Sequence, residues 1–278
     1  MKTDELNTKI KPTWCPGCGN FGIFEALKRA IVNLKIPSSQ VLVTYGIGCH
    51  GHMANFLKTN GFEGLHGRPL PLAIGAKLTN PNLTVLTSSG DGDAYSEGLN
   101  HLVAAARANH NITLLVHDNW AFSLTTGQSS PTSPLGKITK SMPRGTLETP
   151  LNPLKLALAS GATFVSRGFA TEVDHLSNLI AEAIKHEGFS LIDVLQPCVI
   201  FGKEFNPLWF KERIYKVEEK DLTDADRAYR LLSEENKLPI GLFYRVRKPT
   251  FWEEYGLKEP LVRKSLEKEN IEGILENL

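Results

Sequence analysis

The sequence predicts an α/β fold in which a mostly parallel sheet has helices on both faces. The first observation is residues 83–119, where an apolar run, a helical pattern and a second apolar run follow one another as a βαβ unit. The second is that residues 163–195 have the same strand–helix–strand order. The third is a strand pattern at 41–45 that follows an amphipathic helix. Because ligands of such sheets bind where the strands end, the polar residues at these ends become the candidate site.

Each element is predicted from its periodicity and its end signals. Helical spacing of Leu99, Leu102 and Val103 defines the central helix, while prolines end the two helices before it. The segments 120–134 and 137–157 have no periodic pattern and are expected to be connections. In chain order the predicted elements are helix 21–35, strand 41–45, helix 70–78, strand 83–87, a helix from residue 99, strand 112–116, strand 163–166, helix 173–186, strand 190–195, helix 224–234, strand 240–246, an extended segment from 249 and a charged helix at 261–278.

The composition excludes two classes of partner. Among 278 residues, 31 are Lys or Arg and 30 are Asp or Glu, which leaves no basic footprint for a nucleic acid. No apolar run reaches membrane-spanning length and no apolar signal segment opens the chain, so we expect a cytoplasmic protein that does not contact membranes. Two parts are expected: a ligand-binding domain over 1–200 and a C-terminal extension over 201–278. The aromatic residues of this charged extension could form a local core, but we favour an arm that contacts another subunit.

An acidic turn ends the first strand of the βαβ unit. Gly90 and Gly92 allow the backbone to approach a bulky anion, and a helix opens directly after them. Asp91 and the side-chain oxygen of Asn119 are hard ligands on neighbouring strand ends, which suits Mg²⁺ bound to a diphosphate. The same turn composition also occurs in ordinary tight turns, so the pairing with Asn119 carries the functional interpretation.

Four cysteines form the second candidate constellation. Cys15 and Cys18 are a Cys-x-x-Cys pair before the first helix, Cys49 follows strand 41–45, and Cys198 follows strand 190–195. Each cysteine therefore lies in a turn that can converge with the others. Structural zinc and a 4Fe-4S cluster both suit four such thiolates, and spacing alone slightly favours zinc. A thioredoxin-like redox pair is a poorer third alternative.

Together the two constellations resemble the β subunit of the 2-oxoacid:ferredoxin oxidoreductases, the pyruvate and 2-oxoglutarate group. The resemblance is continuous over roughly residues 12–200 and weaker beyond them. It implies a thiamine-diphosphate-binding, pyrophosphate-type domain over 1–200 that also carries the cluster site. The segments that carry it are WCPGCGNFGIFEAL, GIGCHGH, LHGRPLPLAIGAKLTNP, GDGDAYSEGLNHLVAAARAN, DNWAFSLTTGQSSPT and QPC.

The resemblance also implies cofactors and their ligands. One 4Fe-4S cluster replaces zinc as the group expected on Cys15, Cys18, Cys49 and Cys198. Mg²⁺ is expected on Asp91, Asn119 and the backbone carbonyl of Ala121. The residues implied to bind thiamine diphosphate are Ile47, Gly48, Cys49, His50, His66, Gly92, Asp93, Ser123 and Leu124.

Two segments depart from the family pattern. His50, Gly51 and His52 stand where the family usually has Ser or Gly followed by a basic residue, which puts carboxylate recognition at this position in doubt. Phe122 and Ser123 replace a common Tyr-Gly pair. In contrast, residues 66–68 match an HGR motif that pyruvate-specific members mostly lack, which favours 2-oxoglutarate or a broad 2-oxoacid range over pyruvate alone.

The implied reaction is the coenzyme A-dependent oxidative decarboxylation of a 2-oxoacid, with 2-oxoglutarate to succinyl-CoA as the best assignment. The reverse direction of the same reaction would fix CO₂. Electrons would pass through the cluster to ferredoxin. Thiamine activation requires a glutamate, and Glu25, Glu63 and Glu97 each have a local reason to be surface or helix residues. We therefore assign no catalytic residue to this chain and expect the glutamate from an α or αγ partner, in an αβ dimer or (αβ)₂ assembly.

Two other functional classes remain open at this point. A non-oxidative thiamine decarboxylase or synthase would need Asp91 and Asn119 but not the four cysteines. A non-catalytic iron-sulfur or zinc protein would need the cysteines but not the acidic turn. Iron and zinc content with an optical spectrum separates these classes.

Overall fold

A computed structural model describes residues 2–218, 221–234, 237–256 and 260–263. Its eight strands form one sheet in the order β2-β1-β3-β4-β6-β5-β8-β7. The first six strands of this order are mutually parallel, β8 is antiparallel to β5, and β7 is parallel to β8. The strands are β1 (Val41–Tyr45), β2 (Asn60–Glu63), β3 (Thr84–Gly90), β4 (Ile112–Asp118), β5 (Phe164–Phe169), β6 (Phe189–Leu195), β7 (Ile214–Lys216) and β8 (Leu238–Arg245).

Helices cover both faces of this sheet, as predicted. The described α-helices are α1 (Asn20–Asn33), α2 (Pro69–Thr79), α3 (Leu99–Arg107), α4 (Pro153–Ala159), α5 (Val173–Lys185), α6 (Pro207–Lys211), α7 (Ala225–Leu231) and α8 (Phe251–Tyr255). Apolar residues of α1 and α5 pack on one face, and those of α2, α3, α4 and α7 pack on the other. Every residue of β4 and β6 is buried, which explains why these strands are apolar without alternation.

Two predictions about single elements are wrong, and three elements were not predicted. Residues 137–157 contain the start of α4, which begins where Asn152 accepts a hydrogen bond from the N–H of Lys155 with Pro153 in the first turn. The segment from 249 is not extended, because Thr250 and Glu253 form a capping box that starts α8. Strands β2 and β7 and helix α6 carry too little periodic pattern to be predicted.

The charged helix expected at 261–278 lies outside the described residues except for a short 3₁₀ helix at Leu261–Arg263. Within the described ranges, no helix is both long enough and apolar enough to cross a membrane.

The aromatic residues after Ile200 pack on the main body of the protein. Phe205, Trp209 and Phe210 contact the ring of Trp120, with ring centroids 4.9–5.7 Å apart. These aromatic residues therefore form a local core with Trp120, and the arm that contacts another subunit stays a prediction. The boundary at residue 200 stays a prediction, and β8 extends the sheet beyond it.

Candidate functional site

The carboxyl ends of β1, β3 and β4 open onto one cleft of about 60 Å³. The structure brings together in this cleft every residue that the sequence assigned to thiamine diphosphate or Mg²⁺. No glutamate is among the described residues that line it. Those predicted residues are Ile47, Gly48, Cys49, His50, His66, Asp91, Gly92, Asp93, Asn119, Ala121, Ser123 and Leu124.

The Asp91 carboxylate is held in one orientation. Its Oδ2 accepts hydrogen bonds from Ser130 Oγ at 2.5 Å, Thr132 Oγ1 at 2.9 Å and the backbone N–H of Ala121 at 3.1 Å. Burial raises the pKa of Asp91 to about 6, although these hydroxyl donors act in the opposite direction. All three hydrogen bonds go to Oδ2, so these donors fix the orientation of the carboxylate through that oxygen.

Asn119 and Ala121 are presented by a strained turn. Trp120, between them, has a φ of 59°, the left-handed region that few side chains adopt. Its carbonyl oxygen accepts hydrogen bonds from Ser133 Oγ and Lys137 Nζ, both at 2.6 Å. Lys137 is buried, and burial lowers the pKa of its ammonium. A desolvated cation therefore stabilises the turn that carries two predicted magnesium ligands.

The orientation of the Asn119 amide is set by two neighbours. Asn119 Nδ2 donates to Gln196 Oε1 at 2.9 Å, and Ser123 Oγ donates to Asn119 Oδ1 at 3.0 Å. The side-chain oxygen of Asn119 is therefore directed toward Ser123, which lines the same cleft.

Asp93 joins the loops of the cleft. Its carboxylate accepts hydrogen bonds from Ile47 N at 3.1 Å, Gly67 N at 2.7 Å and Ser89 Oγ at 2.5 Å. The backbone of Gly46 passes so close that an added Cβ would lie 1.7 Å from Asp93 Oδ2. Asp93 lines the cleft as predicted, but these contacts also let it hold two loop segments against the end of β3.

Two histidines form the other side of the cleft. His50 is 5% exposed, and its Nε2 has no hydrogen-bond partner among the described residues and lies 3.9 Å from Asp93 Oδ2. Burial lowers the pKa of His50 to about 4, so the ring is neutral near pH 7. His66 Nδ1 lies 3.1 Å from Asp93 Oδ1. Gly90 passes against the His50 ring, since a Cβ there would be 2.8 Å from Nδ1.

All four cysteines line a second cavity of about 220 Å³ beside the cleft. Burial, reinforced by the neighbouring cysteines, raises the pKa of Cys18 to about 12 and that of Cys49 to about 11. In the part of the chain that the structure describes, no three Cys, His, Asp or Glu side chains stand close enough to hold a metal ion as they are. The cysteines thus face one cavity as thiols. His52 lines this cavity, whereas His50 lines the cleft.

The cleft and the cysteine cavity are adjacent. Cys49, Asn119, Ser123 and Leu124 line both. Hydrogen bonds also reach two of the sulfur atoms: Gln196 Nε2 donates to Cys18 Sγ at 3.3 Å, and the backbone N–H of Phe201 donates to Cys198 Sγ at 3.4 Å. Donors of this kind suit sulfur ligands that carry negative charge in a cluster.

Sequence reasoning missed several residues of the site. Ser130 and Thr132 lie in the QSSPT segment and Gln196 in the QPC segment, so both motifs carried a signal that could have identified them. Lys137 had no such signal, because its role depends on a contact with Trp120, which lies 17 positions away in the sequence.

Comparisons with protein families agree with the site. Residues 46–194 match the family described as thiamine pyrophosphate enzyme, C-terminal TPP binding domain. Residues 198–258 match the family described as the C-terminal part of the pyruvate ferredoxin oxidoreductase beta subunit. The two matched ranges contain the acidic turn and the fourth cysteine, respectively.

Individual relatives cover most of the chain. A 2-oxoacid:ferredoxin oxidoreductase subunit beta from Sulfolobus sp is 43% identical over 249 residues, which are 84% of this chain and 81% of that protein. A 2-oxoglutarate synthase subunit KorB from Archaeoglobus fulgidus is 34% identical over 96% of this chain and 98% of that protein. A solved structure of the 2-oxoglutarate:ferredoxin oxidoreductase from Magnetococcus marinus, with 2-oxoglutarate, coenzyme A and succinyl-CoA bound, superposes with a TM-score of 0.92. The two chains are 33% identical, and the match covers 100% of this chain and 96% of the Magnetococcus chain.

Proposed function

The chain belongs to the β-subunit family of the 2-oxoacid:ferredoxin oxidoreductases, and on that premise we propose that it builds two adjoining cofactor sites of an enzyme that converts 2-oxoglutarate to succinyl-CoA. Membership of this family makes the chain a subunit of a thiamine-diphosphate-dependent oxidoreductase that acts with partner subunits. The observation that carries the proposal is that the cleft and the cysteine cavity share Cys49, Asn119, Ser123 and Leu124.

Asp91, Asn119 and the backbone carbonyl of Ala121 would hold Mg²⁺ in this proposal. All three supply hard oxygen atoms, and both the Asp91 carboxylate and the turn at Trp120 are already fixed by hydrogen bonds from Ser130 and Lys137. The metal would neutralise the repulsion between Asp91 and a diphosphate. A Cβ at Gly92 would lie only 2.2 Å from the ring of Phe122, so glycine is the residue that fits at this point of the cleft wall.

When bound, thiamine diphosphate would supply the nucleophile and the electron sink for decarboxylation of the 2-oxoacid. The chain's own residues bind and orient it. Asp93 holds the loops around Ile47 and Gly67 in position, and neutral His50 presents a buried ring nitrogen that has no partner among the described residues. We infer that this nitrogen faces the coenzyme or its substrate.

Cys15, Cys18, Cys49 and Cys198 would hold one 4Fe-4S cluster. Their common cavity and the hydrogen bonds to Cys18 and Cys198 support this ligand set. Raised thiol pKa values mean that binding would release protons, as usual for thiolate ligands. Electrons would leave the cluster for ferredoxin.

No glutamate is among the described residues that line the cleft. This supports an α or αγ partner that supplies the activating glutamate and shares the binding of coenzyme A. We propose an αβ dimer or (αβ)₂ assembly in the cytoplasm.

The substrate assignment rests on relatives and on one motif. Relatives named 2-oxoglutarate synthase and the Magnetococcus enzyme with bound 2-oxoglutarate both support 2-oxoglutarate. The HGR segment at 66–68 agrees with them, and His66 lines the cleft. Pyruvate or a broad 2-oxoacid range is the alternative.

The test is an assay of the co-expressed, anaerobically purified complex of this chain with its α subunit. Coenzyme A-dependent reduction of ferredoxin should have a kcat/KM for 2-oxoglutarate at least tenfold above that for pyruvate. An equal or higher value for pyruvate would overturn the substrate assignment. Zinc in place of iron in the purified complex would instead favour the binding-protein alternative.

A further inference from the structure

Two buried carboxamides, Asn20 and Gln196, stand in the wall of the cysteine cavity. Asn20 is 1% exposed and Gln196 is 2% exposed. Asn20 is the first residue of α1 and Gln196 directly follows β6, so they come from separate elements. Burying two uncharged amides beside four thiols is costly unless their N–H groups find acceptors.

The side-chain oxygen of each amide is held by a hydrogen bond. Asn20 is bonded to β4, the strand that leads to the proposed magnesium ligand Asn119, and Gln196 is bonded to Asn119 itself. Asn20 Oδ1 lies 2.8 Å from His117 Nδ1 on β4, and Gln196 Oε1 accepts from Asn119 Nδ2 at 2.9 Å. His117 is itself held by Ser88, whose Oγ lies 3.1 Å from Nε2. In both cases the oxygen contacts β4 or the residue that follows it, which leaves the N–H groups for other acceptors.

The side-chain nitrogen atoms of Gln196 and Asn20 differ in their hydrogen-bond partners. Gln196 Nε2 donates to Cys18 Sγ at 3.3 Å and to the carbonyl of Pro197 at 3.1 Å. Asn20 Nδ2 is fully buried and has no hydrogen-bond partner among the described residues. An orphaned N–H donor beside a cavity of four cysteines calls for an acceptor inside that cavity. Sulfur atoms of a bound cluster supply such acceptors.

We propose that Asn20 and Gln196 are positioning residues that donate N–H hydrogen bonds to the sulfur atoms of the cluster and thereby raise its reduction potential. This inference rests on the proposed function, because it requires the cluster on the four cysteines. Reduction adds one negative charge to the cluster, and an N–H donor stabilises the reduced form more than the oxidised form. The amides make or break no covalent bond and transfer no proton.

The arrangement has a consequence for electron transfer. Because the same two amides are anchored by His117 and Asn119, movement of β4 or of its terminal turn on coenzyme binding would change the hydrogen bonds to sulfur. The two cofactor sites are therefore joined by two hydrogen-bonded connections as well as by their shared wall.

The experiment is a redox titration, monitored by electron paramagnetic resonance, of the complete complex without substrate. Gln196→Met and Asn20→Leu each remove an N–H donor at similar volume. Each should lower the midpoint potential by an amount on the order of a tenfold change in the reduction equilibrium, about 59 mV for one electron. The double variant should shift it further. The controls are Gln40→Met and Asn33→Leu, since both of these residues are exposed.

Potentials of both single variants equal to the wild-type value would overturn the inference and leave the proposed function intact. A wild-type complex with no cluster signal would overturn the proposed function itself. If the variants lose iron, pulsed resonance on the wild-type complex with ¹⁵N in the Asn and Gln side-chain amides decides the question. A ¹⁵N coupling to the cluster supports the inference, and its absence contradicts it.

Discussion

Lys137 Nζ donates a hydrogen bond of 2.6 Å to the carbonyl oxygen of Trp120, the left-handed residue between Asn119 and Ala121. This contact joins a connection without any recognisable motif to the turn that carries two proposed magnesium ligands. Because Lys137 is buried, its ammonium acts in surroundings of low polarity where such a hydrogen bond is strong.

Replacement of Lys137 by methionine should weaken binding of Mg²⁺ and thiamine diphosphate. The turn would keep Ser133 as its remaining donor, so we expect a loss on the order of 10- to 100-fold, the usual effect of removing an outer-shell partner. Calorimetric titration of the complex with thiamine diphosphate measures it. Lys140→Met, at an exposed position of the same segment, is the control. Equal affinities of the two variants would show that Lys137 does not support the turn.

Asp91→Asn should abolish binding of thiamine diphosphate while the iron content stays unchanged. The substitution keeps the shape of the side chain but removes the negative charge that a divalent cation needs. Iron analysis and thiamine fluorescence of the purified complex give the two readouts. Asp174→Asn, on the exposed side of α5, should change neither. Loss of iron together with thiamine would argue against two separable sites.

This chain purified alone should not catalyse 2-oxoacid oxidation, since none of the described residues that line the cleft is a glutamate. Addition of the separately purified α subunit should restore coenzyme A-dependent reduction of ferredoxin with 2-oxoglutarate. Full activity of the isolated chain would contradict the assignment of the activating glutamate to the partner.

His186 should make the protein less stable in mild acid. Its Nε2 lies 2.8 Å from Thr163 Oγ1, and burial together with Arg245 and Arg247 lowers its pKa from 6.5 to about 4. The unfolded chain therefore binds a proton below about pH 6.5 that the folded chain binds only near pH 4. The free energy of unfolding consequently decreases as the pH is lowered from 6.5 to about 4. Above pH 6.5 the contribution is constant.

Urea unfolding of wild type and His186→Gln at pH 7 and pH 5 tests this dependence. The variant should lose less stability between the two pH values than the wild type, because glutamine has no proton to bind. An identical loss in both proteins would contradict the assignment.

Local sequence patterns predicted the elements that form the centre of the sheet. Strand β1 was predicted with its observed bounds, and β3, β4, β5 and β6 within a few residues, because buried parallel strands appear as continuous apolar runs. Strand β3 continues to Gly90 beyond the predicted Thr87, since its last residues are small and polar yet buried inside the sheet. Helices α4 and α8 were missed because their first turns depend on single capping side chains.

The residues of the site also differ in how well the sequence predicts them. Asp91 and Asn119 could be identified from motif spacing, because the chemistry fixes both the residue type and its place at a strand end. Contacts between residues far apart in the sequence could not be predicted. The hydrogen bonds from Lys137 to Trp120 and from Gln196 to Cys18 depend on how separate segments pack in the folded chain, which no local sequence pattern predicts.

Metal and coenzyme analysis of the anaerobically purified complex tests the central proposal, that one chain holds a magnesium-bound thiamine diphosphate beside a 4Fe-4S cluster. We expect about four iron and four sulfide ions per cluster-bearing chain, with thiamine diphosphate retained after Cys198→Ser removes the iron. A wild-type complex that binds zinc instead of iron, or iron without thiamine diphosphate, would contradict it.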